Sequence, residues 1–142
     1  MTRAIAEELE ELAEEFDLLD DWQEQLGYVI DLGRGLDPLT DEERTDANKV
    51  RGCASQVWVI SRRLPDGRLE FRADSDAQIP KGLIAVLLRL YSGRRPEEIA
   101  ALDPQVAVDR LRLGHMLTSQ RANGLAAMVD RIRREAAAAS AA

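Results

Sequence analysis

An almost unbroken apolar segment in the second half of the chain constrains the fold more than any other feature. Its aliphatic run comprises Leu83, Ile84, Ala85, Val86, Leu87, Leu88 and Leu90. A helix that is hydrophobic nearly all round must be covered by other elements, so residues 78–92 predict a buried central helix. Pro80 suits its first turn and Gly93 follows its last turn. The segment is shorter than the roughly 18 to 20 apolar residues that cross a bilayer, which favours a globular domain.

Two amphipathic helices are predicted before this segment. Residues 3–16 and 22–33 carry apolar side chains at the spacing of one helix face. The inward residues are Ile5, Leu9, Leu12 and Phe16 in the first helix, and Trp22, Leu26, Val29 and Ile30 in the second. Nine acidic residues between positions 7 and 21 predict a solvated face of the first helix, with a docking surface as the alternative.

Three helices are predicted after the central one. Prolines suit helix starts, which gives short helices at about 96–102 and 104–113. The last helix begins near residue 118 or 119 and runs to about 137, with Leu125, Met128 and Ile132 inward. The alanine-rich tail, 136–142, should fray because it buries little apolar surface. No linker or repeat divides the sequence, so residues 1–142 are interpreted as one domain.

The hydrophobic period changes to two in the middle of the chain. Residues 55–62 are rich in β-branched and aromatic side chains, and apolar residues alternate with charged ones over 69–74. Pro65-Asp66-Gly67 between them is a turn signal, which predicts an antiparallel hairpin. A short strand at about 48–51 would pair beside the hairpin. The sequence therefore predicts an α+β fold in which a small three-stranded antiparallel sheet packs against several helices.

Charge and cysteine content restrict the function. The net charge of −7 and the pI near 4.8 argue against nucleic acid as the main partner, because phosphate backbones require a basic face. No secretory signal is visible at the N-terminus, and we expect a cytoplasmic protein. One cysteine, Cys53, excludes an intramolecular disulfide. One cysteine and one histidine also disfavour a thiolate-rich zinc site or an iron–sulfur site within one chain, so we predict no metal site.

The most informative segment surrounds that cysteine and reads Arg51-Gly52-Cys53-Ala54-Ser55-Gln56-Val57-Trp58. A lone cysteine is most often a small buried hydrophobe, but Cys53 follows a glycine and precedes the strand pattern. A thiol on such a link can be presented to a partner, so both interpretations stay open on the residues alone. A nearby cation would favour the thiolate, and Arg51 and Arg121 are the candidates. His115 is interpreted as a surface or packing residue rather than as a general base.

Several separate motifs, in the same order, resemble the SufE/CsdE family of sulfur acceptor proteins over roughly residues 5–135. The central match is Gly-Cys-Ala-Ser-Gln-Val-Trp at 52–58, against the family's Gly-Cys-Gln-Ser-Gln-Val-Trp. Further matches are Asp74-Ser75-Asp76-Ala77, Lys81-Gly82-Leu83-Ile84-Ala85-Val86, Leu117-Thr118, Arg121, and Gly124-Leu125-Ala126-Ala127-Met128. Two departures are Ala54, where the family has glutamine, and Ser119-Gln120, where it has Pro-Ser.

The resemblance implies a compact α+β fold shared with NifU/IscU-type scaffolds, and it implies a function. A pyridoxal-phosphate cysteine desulfurase would leave sulfur as a persulfide on its own cysteine, and Cys53 would accept that sulfur and stimulate the enzyme. The sulfur would then pass to an iron–sulfur cluster assembly scaffold. The pyridoxal phosphate would belong to the partner, so no cofactor is expected on this chain. Besides Cys53, the residues expected to support the site or bind the partner are Gly52, Ser55, Gln56, Asp74 and Arg121.

Two alternatives stay open within this resemblance. One is a non-catalytic module that docks on a desulfurase and stimulates it, and the other is a scaffold that assembles clusters itself. The single cysteine argues against the scaffold.

The resemblance also leads to an expectation about where the thiol lies. Small thiols would strip an exposed persulfide by exchange at its outer sulfur. We therefore expect the Cys53 sulfur of the free protein to be largely shielded by aliphatic side chains, with the loop moving on docking.

Overall fold

The structure is a computed structural model that describes residues 4–141. Six helices and one hairpin follow in the order α1 Ile5–Asp17, α2 Trp22–Arg34, β1 Val57–Arg63, β2 Leu69–Ser75, α3 Gln78–Tyr91, α4 Pro96–Ala101, α5 Pro104–Arg110 and α6 Ser119–Ala141, with a 3-10 turn at Gly114–Met116 before α6. The predicted α+β class is confirmed. None of the helices within residues 4–141 has the length and apolar character needed to cross a membrane.

Helix α3 forms the centre of the domain, as its apolar sequence predicts. Helices α1, α2 and α6 and strand β2 all contact it. The α3 residues that these elements bury are Gly82, Leu83, Ile84, Val86, Leu87, Leu88, Leu90 and Tyr91. Each Å² of apolar surface removed from water contributes about 25 cal/mol, which makes this burial the main source of folding free energy. The remaining elements are therefore held around one core.

Two glycines allow α2 and α3 to cross at very short range. A Cβ built on Gly82 would lie 2.3 Å from the carbonyl oxygen of Val29, and one on Gly33 would lie 2.7 Å from the amide nitrogen of Gly82. Real side chains do not approach backbone atoms this closely, so only glycine fits at both positions. In the sequence alone, Gly33 is simply a residue near the end of the second predicted helix. Its packing role depends on a contact between residues far apart in the chain.

The predicted hairpin is confirmed, but the predicted third strand is wrong. Strands β1 and β2 pair antiparallel, from Val57 opposite Ser75 to Arg63 opposite Leu69, and Gly67 in the turn has a φ of +91°. Residues near 49 contribute one isolated bridge, Lys49 opposite Trp58. Pairing stops there because the chain turns away at Gly52, whose φ is +92°. The sheet thus has two strands, and the segment that would have formed a third leads into the cysteine loop.

The ends of two helices differ from the prediction. Trp22 was expected to point inward, but 55% of it is exposed because it opens α2 directly after the turn from α1. Val29, two turns later, is fully buried as expected. Helix α6 continues to Ala141, beyond the predicted end near 137, and Ala136 is buried in the core. Fraying of this tail stays a prediction. Position 3, the predicted start of the first helix, and position 142 lie outside the described residues.

The acidic face of α1 is partly used inside the molecule. Arg89 of α3 donates to Glu8 at 2.7 Å and to Glu15 at 2.8 Å. The hydrogen bond from Arg89 lowers the pKa of Glu15 despite its partial burial. On the same helix Glu10 pairs with Arg110 of α5. Several of the nine acidic residues therefore fasten α1 to its neighbours, which neither sequence interpretation anticipated.

Candidate functional site

The cysteine loop runs from the bridge at Lys49 to the start of β1 and lies against α6. Gly52 adopts a positive φ of 92°, which a glycine reaches without steric strain. A Cβ on Gly52 would stand 3.4 Å from Cβ of Ala127, so a side chain there would press on the helix. At Gly52 this backbone freedom turns the chain, and Cys53 follows immediately.

A cleft of about 460 Å³ opens beside the cysteine, between the loop, the start of α3 and the first half of α6. Its apolar lining consists of Val57, Pro80, Leu83, Ile84, Leu125 and Met128. Its polar lining consists of Ser55, Thr118, Ser119, Gln120 and Arg121. The volume falls in the range of about 300–1,000 Å³ that is usual for ligand sites. It greatly exceeds what a single thiol needs.

Cys53 is half-buried at the edge of this cleft. Its Sγ lies 3.6 Å from the carbonyl oxygen of Gly124 and donates to it. Burial raises the pKa of the Cys53 thiol, because desolvation disfavours the thiolate. At neutral pH the resting sulfur is therefore protonated. The expected aliphatic lining is present, and the cysteine is partly shielded.

The two arginines expected to favour the thiolate, and the single histidine, take different positions. Arg121 is half-buried and lines the cleft, and its Nη1 donates to the carbonyl oxygen of Met116 at 3.2 Å. Arg51 is exposed on the loop itself. His115 is exposed in the 3-10 turn and is not part of the cleft lining. Burial is the cause of the shift in the Cys53 pKa, so in this arrangement no cation offsets it. Of the two arginines, Arg121 is the one that lines the same cleft as Cys53.

One of the predicted supporting residues, Gln56, fixes the C-terminal end of the loop together with Asp76. The amide of Gln56 donates to Oδ1 of Asp76 at 3.0 Å, and the amide of Asp76 donates to the carbonyl of Gln56 at 3.2 Å. These bonds extend the pairing of β1 and β2 by one residue beyond Val57. The side chain of Gln56 is exposed, and Ser55 lines the cleft. The loop is thus anchored after Gln56, and Cys53 lies three residues before that anchor.

Asp74 is placed in the interior, with 5% of its side chain exposed. Its carboxylate accepts from the amides of Leu39 and Ser75 and pairs with Arg44 at 3.0 Å and Lys81 at 3.4 Å. Burial raises its pKa, but Arg44 and the two amides outweigh that effect, so the pKa lies below its ordinary value. Asp74 therefore holds segment 39–44 against the sheet, and its carboxylate is bonded inside the molecule.

Gly124 is the residue that sequence reasoning missed as part of the site. Its only signal was its membership of the motif in the final helix, which gives no indication of a contact with Cys53. The two residues are 71 positions apart, so the contact could not be read from spacing. Among the described residues, no group of three or more His, Cys, Asp or Glu side chains is arranged to hold a metal ion.

Comparison with known proteins identifies the family. The SufE family, described as an Fe-S metabolism associated domain, matches residues 10–136. The chain belongs to the SufE family. A SufE-like protein of Rhizobium etli is 45% identical over 137 residues, covering 94% of this chain and 93% of that protein. A SufE-like protein of Rhizobium meliloti is 41% identical over 131 residues, covering 90% and 94%.

The fold is shared with a solved structure as well. The solution structure of a hypothetical protein from Thermus thermophilus superposes with a TM-score of 0.77, covering 95% of this chain and 97% of that one. Its sequence identity is 18%, so this likeness concerns the fold. The SufE match spans the cysteine loop, the hairpin, α3 and most of α6, which are the elements that build the cleft. Membership associates the chain with Fe-S metabolism.

Proposed function

We propose that this SufE protein is a sulfur carrier that accepts persulfide sulfur on Cys53 from a pyridoxal-phosphate cysteine desulfurase. The observation that supports this most is the position of the thiol in a SufE chain. Cys53 is the only cysteine, and it lies on a glycine-hinged loop at the mouth of an apolar cleft. A cysteine that served only as a small hydrophobic core residue would not require a position on such a loop.

The transfer is a thiol–disulfide type exchange. The Cys53 thiolate attacks the outer sulfur of the persulfide on the desulfurase, and a new bond forms between that sulfur and Sγ. The sulfur–sulfur bond of the donor breaks, and the cysteine of the desulfurase leaves as a thiolate and takes up a proton. No net oxidation occurs, because one thiol is exchanged for another. The same exchange then passes the sulfur to an iron–sulfur cluster assembly scaffold.

The resting position of Cys53 leads us to expect that the loop moves when the protein docks on its partner. Only the thiolate is nucleophilic, and burial raises the pKa of Cys53. Movement of the loop out of the cleft would remove the desolvation and bring the sulfur toward the partner. Docking is therefore expected to activate the thiol as well as to position it. We expect this function in the cytoplasm, where thiols stay reduced.

Intact mass measurement tests the proposal. The chain is mixed with free cysteine and a cysteine desulfurase, and the expected result is a gain of one sulfur atom that reducing agent removes. The Cys53→Ser variant should gain no sulfur and should not stimulate the desulfurase. An unmodified chain under conditions in which the desulfurase turns over would refute the carrier function.

The docking-module alternative gives a different result in the same experiment. A module that only docks should stimulate the desulfurase equally well as wild type and as Cys53→Ser, since a hydroxyl is nearly isosteric with the thiol. Stimulation by the serine variant at the wild-type level would favour that alternative. Nothing in the arrangement of residues 4–141 favours a cluster scaffold.

A further inference from the structure

Cys53 packs closely against Gly124 of α6. Sγ lies 3.6 Å from the Gly124 carbonyl oxygen. A Cβ built on Gly124 would lie 3.6 Å from Sγ and 3.9 Å from both Cα and Cβ of Cys53. A methyl group would therefore just touch the cysteine, whereas a branched side chain would overlap it. The absence of a large side chain allows the loop to reach the helix carbonyl.

The hydrogen on the sulfur is what this carbonyl can bind. A helical carbonyl oxygen keeps a second lone pair besides the one used within the helix, so it can accept an S–H donor. A thiolate has no proton to donate, and its charge is repelled by the oxygen. In a persulfide, Sγ is bonded to Cβ and to the outer sulfur. It therefore carries no hydrogen in any protonation state.

The other surroundings of the sulfur give a charged species little compensation. The cleft side of α3 contributes Pro80, Leu83 and Ile84, and β1 contributes Val57. Among the residues that line the cleft in the described chain, Arg121 alone carries a charge, and its Nη1 already donates to Met116. Arg51 on the same loop is exposed. A charged sulfur in the resting position would therefore face an apolar wall and a carbonyl oxygen.

We propose that Gly124 is a positioning residue for the empty carrier. Its carbonyl holds the neutral Cys53 thiol at the cleft, and loading the cysteine with sulfur removes the donor and releases the loop. The site described by Gly124 O and the Cys53 thiol, here named the thiol seat, thus distinguishes the empty from the loaded state. This reverses the sequence-based expectation that the loaded sulfur retreats into the recess. The biological meaning rests on the proposed function, but the thiol seat can be tested without a desulfurase.

Hydrogen exchange of the loop tests the seat. Methyl methanethiosulfonate converts Cys53 to a methyl disulfide, which resembles a loaded sulfur, lacks the S–H and carries no charge. Amides of residues 51–56 should then exchange about three- to tenfold faster, the effect of losing one hydrogen bond, while amides of α3 stay unchanged. Dithiothreitol should restore protection. Equal protection of the thiol and methyl disulfide forms would overturn the proposal.

Two substitutions at Cys53 separate the lost donor from added bulk. Cys53→Ala removes the donor without adding volume and should show the fast exchange. Cys53→Ser keeps an O–H donor and should remain closer to wild type. If Cys53→Ala were as protected as wild type, the bulk of the methyl disulfide, and not the missing proton, would explain its release. That result would also overturn the proposal.

Substitutions at Gly124 add a readout that a purely structural role would not change. Gly124→Ala fits at 3.6 Å and should keep the wild-type pH profile of Cys53 alkylation. Gly124→Val should displace the thiol, lower the midpoint of that profile and speed alkylation about three- to tenfold at neutral pH. Circular dichroism shows whether each variant is folded. Identical profiles for the folded Ala and Val variants would contradict the seat. If Gly124→Val does not fold, the hydrogen exchange of Cys53→Ala and Cys53→Ser decides whether the proposal stands.

Discussion

Replacing Asp74 by alanine is expected to destabilise the fold rather than to remove a direct partner contact. The side chain is 5% exposed and pairs with two cations. Breaking a fully buried ion pair costs about 3–5 kcal/mol. Here 33% of the Arg44 side chain and 27% of the Lys81 side chain are exposed, so both cations would regain water. The amides of Leu39 and Ser75 would still lose their acceptor, and we expect a total loss of about 2–3 kcal/mol.

The same substitution has a predicted pH dependence. The folded pKa of Asp74 is depressed, so its contribution is fully present above the unfolded pKa of about 3.9 and is lost as the pH falls through the folded pKa. The difference in unfolding free energy between wild type and Asp74→Ala should therefore be complete at pH 7. It should shrink once the pH falls below about 4.

Urea unfolding followed by tryptophan fluorescence measures this difference at each pH. Asp41→Ala is the matched control, because Asp41 pairs with the same Arg44 but its side chain is 99% exposed. The control should leave the unfolding midpoint nearly unchanged. Equal stability of Asp74→Ala and Asp41→Ala at pH 7 would refute the interior role of Asp74. Folded Asp74→Ala should still accept sulfur, since its carboxylate is not offered to a partner.

Three further predictions concern the core and the thiol. Gly82→Ala should lower the free energy of unfolding by about 2–3 kcal/mol or prevent folding, because the new Cβ would lie 2.3 Å from the Val29 carbonyl oxygen. Gly27→Ala is the control, because a Cβ there would have nothing within 4 Å, and it should be neutral or stabilising in thermal unfolding. The rate of Cys53 alkylation, plotted against pH, should have its midpoint above about 8.5 in the folded chain, since burial raises the pKa of the thiol. In denaturant the midpoint should return to about 8.5. A midpoint below about 8.5 in the folded chain would contradict the desolvation of the thiol. Ile132→Ala should cost about 2–5 kcal/mol in urea unfolding because the side chain is fully buried, whereas Val106→Ala at a half-exposed position should have little effect.

Elements with a strong local period could be predicted from the sequence. The apolar run at 83–90 indicated the central helix, and the alternation around Pro65-Asp66-Gly67 indicated the hairpin. Both depend on side chains within a few residues of one another, so no knowledge of the partner elements was needed. Cys53 could be singled out for the same reason, because its uniqueness and its glycine neighbour are visible in the sequence. The family resemblance then gave it a role.

Features that depend on contact between distant segments could not be predicted in this way. The predicted third strand is wrong because a turn at Gly52 interrupts pairing after Lys49. The predicted inward position of Trp22 is wrong because this residue opens α2 directly after the turn from α1 and is 55% exposed. The burial of Asp74 was also not visible in the sequence, since its pairing with Arg44 requires segment 39–44 to fold back onto the sheet. Sequence periodicity predicts which face of an element is buried. It does not predict which other element packs against that face.

The sequence by itself determined the central helix, the hairpin and the position of the single thiol, because local spacing and composition fix all three. The tertiary structure alone decided the glycine crossing of α2 and α3, the burial of Asp74 and the contact of Cys53 with the Gly124 carbonyl. Each of these joins atoms separated by 30 to 71 positions in the chain. Such distances close only when the whole core packs, since burial of apolar surface, and not the local pattern, brings the segments together.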